Sequence, residues 1–327
     1  MKQKALELLN AGKVKRVLGW KKGDLPYDAT PAFFDKADQL GDMVYNGFCG
    51  SNLSKYLVEK SREDGKTLVF LKPCDTYGLN QLLSEHRLVR DKVHVVAISC
   101  KGKLDVDKLK DKGITGIAGV VEENDVLKIE TLYGKADDIK REEALLEKCL
   151  SCKGKEHKIF DERLGDKQED TEGKIDRFAE VAKLEAMSAD ERFEFWRSSL
   201  SLCIRCNACR NACPSCSCLK CVFDNAQSGV SAKANTTDFE ENMYHVIRAY
   251  HVAGRCSDCG ECSRVCPQRI PLHLLNRKII KDLNGFYGEY QAGEFSPGDE
   301  GALPSPLVRF DLNDPEPNVI TKGGRSK

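Results

Sequence analysis

The segments CIRCNACRNACP, residues 203–214, and CSDCGECSRVCP, residues 256–267, decide the fold of the second half of the chain. Each has the spacing C-x2-C-x2-C-x3-C followed by proline, which is typical of ferredoxins that hold two cubane 4Fe–4S clusters. Three thiolates spaced in this way wrap a tight loop around one cluster, while the fourth points away and binds the other cluster. The spacing therefore predicts two clusters with crossed ligands.

Each predicted ligand quartet combines three cysteines of one segment with the last cysteine of the other segment. The first quartet consists of Cys203, Cys206, Cys209 and Cys266. The second quartet consists of Cys256, Cys259, Cys262 and Cys213. Zinc is the alternative metal, but zinc sites usually contain CxxC pairs separated by a longer loop and rarely an evenly spaced triple. The repeat of the complete spacing favours iron–sulfur clusters.

Helical periodicity flanks both cysteine segments. Ser188 and Glu191 predict a capping box at the start of a helix over 188–200. Apolar residues at helical spacing predict further helices over 239–252 and 272–283. Such helices beside the cluster loops resemble the α-helical ferredoxin module of fumarate reductase iron–sulfur subunits and heterodisulfide reductase small subunits. The resemblance implies a mainly α-helical two-cluster ferredoxin domain, which we place over residues 188–287.

Residues 1–160 are predicted to form an α/β domain. Two apolar, β-branched runs over 67–71 and 93–98 are bounded by polar or Gly/Pro-containing segments, as buried strands are. The other elements expected here are a helix over 1–22, a helix over 79–88 and a third strand over 114–121. Strands that alternate with helices indicate an α/β fold.

Four cysteines of this first part could hold a third 4Fe–4S cluster. Cys74 follows the first predicted strand and Cys100 ends the second, so parallel strands would present both thiols at one edge of the sheet. Cys149 and Cys152 form a CxxC pair that completes four ligands. Cys49 is the substitute ligand, and ordinary buried thiols are the alternative interpretation.

Three motifs in this part resemble the N-terminal domain of a family of electron-transfer subunits. They are LKPCD at 71–75, ISCKG at 98–102 and CLSCKGKEHKIFDE at 149–162. The family includes the beta subunits of deazaflavin-reducing hydrogenases and formate dehydrogenases and, more loosely, cluster subunits of sulfhydrogenase and anaerobic sulfite reductase. By this resemblance the cluster ligands are Cys74, Cys100, Cys149 and Cys152.

The same resemblance implies partners and leaves one cofactor open. A subunit of this family links a redox enzyme to a partner such as a heterodisulfide-reductase-like complex. Some relatives also bind flavin. No G-x-G-x-x-G motif follows a strand in this chain, so FAD binding is an open expectation that no dinucleotide-binding motif supports.

Three more cysteines lie outside the ferredoxin spacing. Cys216, Cys218 and Cys221 follow the first cysteine segment directly. They either line a cluster and donate hydrogen bonds to its sulfur atoms, or hold an extra metal with a distant ligand such as Cys49. Three thiolates make an incomplete four-ligand site, so the first interpretation is favoured.

The composition argues against nucleic-acid binding, membrane spanning and disulfide bonding. The 51 basic and 51 acidic side chains cancel, which argues against a general nucleic-acid binder. No run approaches the roughly 18 apolar residues that span a bilayer, and the N-terminus lacks a signal-peptide pattern. We therefore expect a cytoplasmic chain that does not span a membrane, in which the 16 cysteines stay reduced and favour metal binding over disulfides.

A charged linker is predicted over 161–187 and an extended tail over 288–327, which favours docking to a partner. No Ser-His-Asp set, P-loop or HExxH motif is present, so no catalytic residue is expected. The predicted function is electron transfer within a larger anaerobic oxidoreductase of the hydrogenase, formate dehydrogenase or heterodisulfide-reductase type. The alternatives are a self-contained flavin and iron–sulfur reductase of a small acceptor, and a redox-sensing or scaffold protein.

Overall fold

The computed structural model describes residues 1–136, 138–153, 156–165, 176–218, 221–225 and 238–296. The chain divides into two compact units. The first contains residues 1–79 and 88–177, and the second contains residues 80–87 and those from 178 onward. In the described ranges, no helix is long and apolar enough to cross a membrane.

The strands and helices have the following bounds. The strands are β1 Arg16–Lys22, β2 Ala29–Phe34, β3 Met43–Val44, β4 Thr67–Leu71, β5 Val93–Ile98, β6 Ile117–Glu123, β7 Val126–Thr131, β8 Gly134–Lys135, β9 Ile139–Lys140 and β10 Glu162–Leu164. The helices are α1 Lys2–Asn10, α2 Leu57–Lys60, α3 Pro73–Ser84, α4 Val106–Asp111, α5 Glu147–Leu150, α6 Ala179–Ala186, α7 Ala189–Ser201, α8 Ala208–Ala212, α9 Asp238–His251, α10 Glu261–Arg264 and α11 Leu272–Tyr287.

A six-stranded sheet is the centre of the first unit, with the order β10-β5-β4-β1-β2 and β3 paired to β1. Strands β10, β5, β4 and β1 are parallel neighbours, whereas β2 and β3 run antiparallel to β1. Every residue of β4 is buried, as expected for a continuous apolar run in a parallel sheet. The strands predicted over 67–71 and 93–98 are confirmed. The helix expected over 79–88 starts earlier, because Pro73 suits the first turn of α3.

A second, four-stranded sheet is antiparallel, with the order β6-β7-β8 and β9 paired to β7. Asn124 and Asp125 both have positive φ and form the two-residue turn between β6 and β7. Leu109 and Leu127 are fully buried in the core beneath this sheet. The third strand expected over 114–121 is observed as β6 at Ile117–Glu123, where it pairs with β7 in this second sheet.

The N-terminal segment corrects the prediction of one helix over 1–22. Helix α1 ends at Asn10, and Gly12 adopts a φ of 65° before β1 begins. Val17 and Trp20 of β1 are fully buried in the sheet. Pairing of β-branched and aromatic residues within a buried sheet outweighs their approximate helical spacing.

The second unit is mainly helical. Helices α7 and α11 both pack against α9, and α8 packs against α10. Helix α7 begins with the predicted capping box, in which the Glu191 N–H donates to Ser188 Oγ at 3.3 Å. The helices predicted over 239–252 and 272–283 are confirmed as α9 and α11.

The segments predicted as linker and tail are described in part. Strand β10 and helix α6 form within 161–187, and residues 166–175 of that segment lie outside the described residues. Of the tail over 288–327, residues 297–327 also lie outside them.

Candidate functional site

The two ferredoxin segments fold into matching loops. Arg205 and Asp258, each two residues after the first cysteine of its segment, have φ of 52° and 49°. Asn207 and Gly260, each directly after the second cysteine, have φ of 61° and 65°. Left-handed residues at equivalent positions turn both loops in the same way. The repeat in sequence is therefore also a repeat in backbone geometry.

Hydrogen bonds and short helices place the cysteines at equivalent points of each loop. The Arg205 N–H donates to Cys203 Sγ at 3.4 Å, and the Asp258 N–H makes the equivalent bond to Cys256. Helices α8 and α10 follow, carry the third cysteine of each segment and end just before the fourth. Because α8 and α10 pack together, the two loops are neighbours.

Thiols of the two segments act on one another. Burial raises the pKa of Cys209, and the Cys266 thiolate raises it further. Burial also raises the pKa of Cys262 to about 12, with contributions from Cys213 of the other segment and from Cys209. Burial and Cys213 likewise raise the pKa of Cys256. The electrostatic neighbours thus include the cross-segment members of each predicted quartet.

The additional cysteines surround the first segment. Cys216 forms a hydrogen bond with Cys213 that lowers the pKa of Cys213 to about 6, despite burial. Cys221 lies beside Arg210, whose guanidinium also pairs with Asp224 at 2.9 Å. Cys218 is exposed. Cys216 therefore acts on a predicted ligand, in accord with a lining role.

Polar side chains fix the second segment. Arg277 of α11 pairs with Asp258 at 2.8 Å, and both side chains are 3% exposed. Asn276 Nδ2 donates to Cys262 Sγ at 3.6 Å. Ser215 Oγ donates to the Arg255 carbonyl oxygen at 2.8 Å and so joins the two segments.

A fully buried carboxylate adds to this support. Glu85, in the part of the chain that belongs to the second unit, accepts a hydrogen bond from Arg255 Nε at 2.8 Å and a second bond from Arg255 Nη2. Ser217 Oγ donates to Glu85 at 3.1 Å, and Gln81 Nε2 donates at 2.7 Å. This network holds the residue that precedes Cys256.

Helix α9 contributes two buried polar side chains. His245 is 1% exposed, and burial, Arg248 and Arg205 lower its pKa to about 3, so it is neutral. Arg248 is 2% exposed, and its thiol neighbours raise its pKa against the effect of burial. Sequence reasoning missed Arg248. Arg248 lies four residues after Tyr244 and four before Val252, both of which are buried, and this helical spacing was the available signal.

The N-terminal cysteines gather where β4 and β5 end. His157 Nε2 lies 3.1 Å from the carbonyl oxygens of both Leu71 and Ile98, the last residues of these parallel strands. The Lys158 N–H donates to Thr76 Oγ1 at 3.0 Å. The chain that follows the CxxC pair is thereby fixed to the strand ends that carry Cys74 and Cys100.

Electrostatic interactions connect all five of these thiols. Burial raises the pKa of Cys74, Cys149 and Cys49, and Cys100 raises each of them further. Cys152 contributes to the shift at Cys149. Cys100 therefore acts on three of these thiols, and Cys152 acts on Cys149.

Buried cations accompany the N-terminal thiols. The Lys103 N–H donates to Cys149 Sγ at 3.3 Å, while Lys103 Nζ donates to the Asn46 carbonyl oxygen at 2.9 Å. Lys72 pairs with Asp75 at 2.8 Å, and both side chains are 1% exposed. Burial lowers the pKa of Lys103. A site in which thiols lie beside buried cations is suited to bind an anionic group such as an iron–sulfur cluster with thiolate ligands.

The donor set fits iron–sulfur clusters. The 16 cysteines all lie in the described ranges and form no disulfide. Within those ranges, no three or more His, Cys, Asp or Glu side chains converge on a single metal position. A cubane cluster binds each thiolate through a different iron atom, so its ligands need not converge on one point.

Known proteins resemble this chain in sequence. Residues 199–270 match the 4Fe-4S dicluster domain family. The F420-dependent formate dehydrogenase subunit beta of Methanocaldococcus jannaschii is 25% identical, over 93% of this chain and 92% of that protein. The F420-dependent formate dehydrogenase 1 subunit beta of Methanococcus maripaludis is 30% identical over 29% of this chain and 24% of its own length. The predicted resemblance to formate dehydrogenase beta subunits is confirmed.

A solved structure is more distantly similar. It is a chain of the F420-reducing [NiFe] hydrogenase complex from Methanosarcina barkeri, 17% identical, with a TM-score of 0.37 over 46% of this chain and 58% of that chain. A TM-score at this level does not establish a common fold.

Proposed function

We propose that this chain is an electron-transfer subunit of an oxidoreductase complex that passes electrons through 4Fe–4S clusters. Its C-terminal part, over residues 188–287, forms an α-helical ferredoxin with two clusters, and residues 1–160 form an α/β domain. Cys203, Cys206, Cys209 and Cys266 bind one cluster. Cys256, Cys259, Cys262 and Cys213 bind the other.

One observation carries the proposal. The two cysteine segments repeat in spacing and in backbone geometry, and Cys266 and Cys213 each act on thiols of the other segment, which supports crossed quartets. The match of residues 199–270 to a dicluster family supports the same conclusion.

The clusters supply one-electron transfer when they are bound. The protein contributes their environment. The N–H groups of Arg205 and Asp258 donate to sulfur, Asn276 donates to Cys262, and the second loop is buried at Cys259 and Cys262. These bonds stabilise thiolate charge and so affect the potential of each cluster. Cys209 and Cys262 pack in one buried cluster, which supports a short electron path between the two quartets.

A third cluster is proposed at the N-terminal site, held by Cys74, Cys100, Cys149 and Cys152, with Cys49 as the alternative ligand. The interactions of these thiols with Cys100 support it. Burial raises the pKa of Cys74 and Cys149, so cluster binding there must release protons from these two thiols. FAD binding remains a separate hypothesis that no described contact supports.

The proposed partners are the catalytic and electron-accepting subunits of a hydrogenase, formate dehydrogenase or heterodisulfide-reductase type of complex. The names of the curated relatives support the formate dehydrogenase type. A reducing compartment such as the cytoplasm suits a chain with 16 cysteines and no disulfide.

Anaerobic purification from the native cell tests this function. We expect the chain to co-purify with a redox enzyme, to contain iron and sulfide, and to be reduced by that enzyme's substrate. An isolated chain that carries flavin and reduces a small acceptor by itself would instead indicate a self-contained reductase.

A further inference from the structure

Arg248 of α9 is a buried cation at the centre of the second unit. It is 2% exposed, and its Nε, Nη1 and Nη2 atoms are all fully buried. None of these three atoms has a hydrogen-bond partner among the described residues. A buried charge without a partner is strongly unfavourable, so this guanidinium requires a compensating anion.

The groups around Arg248 identify that anion. Those that act on its charge most strongly are the thiols of Cys262, Cys209, Cys213 and Cys216. Cys209 belongs to the first proposed quartet, whereas Cys213 and Cys262 belong to the second. Cys209 and Cys262 also pack in one buried cluster, against which Cys203 and Cys266 are packed. Arg248 therefore interacts with both quartets.

Two nearby basic side chains do not share the role of Arg248. His245 lies one turn before Arg248 on the same helix and is neutral, as its lowered pKa shows. Arg205 is directed elsewhere, because its Nη2 donates to the Glu240 carbonyl oxygen at 3.1 Å and its guanidinium stacks on Tyr244 at 4.2 Å. Arg248 thus acts on thiols that belong to both quartets.

We propose that Arg248 is a shared positioning residue for both C-terminal clusters, whose positive charge raises the reduction potential of each. This inference rests on the proposed function. A cluster with four thiolate ligands is anionic, and one electron from the reducing partner adds one more negative charge. A buried cation stabilises the reduced form more than the oxidised form, and the low dielectric of the interior strengthens this effect. Because one guanidinium faces both quartets, both potentials should change together.

Redox titration of the anaerobic full chain, followed by electron paramagnetic resonance, tests this role. Arg248→Met retains much of the volume and removes the charge. We expect both clusters to become harder to reduce, with about a tenfold loss in the reduced-to-oxidised ratio at a fixed potential, which is about 59 mV for a one-electron couple. Arg248→Lys keeps the charge and should remain closer to the wild-type chain.

Arg197→Met is the matched control. Arg197 lies on α7, and its side chain is 49% exposed and pairs with Glu194 at 3.4 Å. This variant loses the same charge from the same unit, but water screens the change. We expect its potentials to equal those of the wild-type chain.

The outcomes separate this inference from the proposed function. A wild-type chain without iron would contradict the proposed function itself. Wild-type clusters with unchanged potentials in Arg248→Met, or a shift in only one cluster, would overturn the shared role of Arg248. If Arg248→Met fails to retain iron, Arg248→Lys is compared with Arg248→Gln, which keeps a donor but no charge. Equal potentials in those two variants would also overturn it.

Discussion

Cys100 acts on Cys74, Cys149 and Cys49, and the position of Cys49 is explained without a metal. Cys49 Sγ accepts from the Asn46 N–H at 3.3 Å and donates to Asn46 Oδ1 at 3.4 Å. Cys149 Sγ accepts from the Lys103 N–H at 3.3 Å, and burial, Cys100 and Cys152 raise its pKa. Because the Cys49 thiol both donates and accepts within its own loop, we expect Cys149 rather than Cys49 to be the ligand.

Cys149→Ser should therefore remove one cluster. We expect iron to fall from about twelve to about eight atoms per chain, since each cubane holds about four. Cys49→Ser is the control and should keep about twelve. If the iron content of Cys149→Ser is unchanged, Cys149 does not bind a third cluster. If Cys49→Ser loses iron, Cys49 is a ligand.

Glu85→Ala should destabilise the second unit. The substitution leaves the Arg255 guanidinium without its buried carboxylate, and breaking a buried ion pair in this way costs about 3–5 kcal/mol. The urea midpoint of the anaerobic chain measures the change. Glu180→Ala, which removes an exposed pair with Lys183, is the control and should cost about 0.5 kcal/mol or less. Similar midpoints for both variants would show that the Glu85 network is not important for stability.

At the scale of elements, the crossing of ligands between the two loops can be tested by paired substitutions. If the quartets are crossed, the double variant Cys206→Ser/Cys266→Ser changes two ligands of the same cluster and loses about four iron atoms per chain. Cys206→Ser with Cys213→Ser damages both clusters and costs about eight. The opposite order of losses would show that each segment binds its own cluster.

The capping box of α7 fixes the helix that leads into the first cluster loop. Ser188→Ala removes the acceptor for the Glu191 N–H and should lower the free energy of unfolding by about 1 kcal/mol. Ser198→Ala, on the exposed face of the same helix, should change it by less than about 0.5 kcal/mol. Chemical denaturation compares the two variants, and equal effects would argue against the cap.

The sequence predicted those strands and helices that depend only on residues close together in the chain. The run TLVFL is apolar throughout, so β4 was predictable, and Ser188 with Glu191 placed the start of α7 correctly. The segment RVLGWKK was mistaken for helix, because its strand conformation depends on pairing with β2 and β4. Residues 162–164 lie in a charged segment, and only the parallel edge of β5 makes them a strand.

At the scale of the whole molecule, sequence spacing was sufficient for the candidate ligands but not for the side chains that surround them. The ferredoxin ligands are a few residues apart, and this short spacing already carries their chemistry. Glu85 and Arg255 are 170 residues apart, and no local pattern connects them. Arg248 shares the buried face of α9 with Tyr244 and Ala249, so its role could not be predicted from the sequence. Only the packing of the folded chain brings these side chains to the cysteine segments.

The central claim is that two 4Fe–4S clusters lie side by side in this chain. Electron paramagnetic resonance of the anaerobically purified, fully reduced chain, with iron and zinc measured on the same sample, tests it most directly. We predict at least about eight iron atoms per chain and a spectrum broadened by magnetic interaction between neighbouring reduced clusters. A colourless protein that contains zinc in place of iron and gives no such signal would contradict the account.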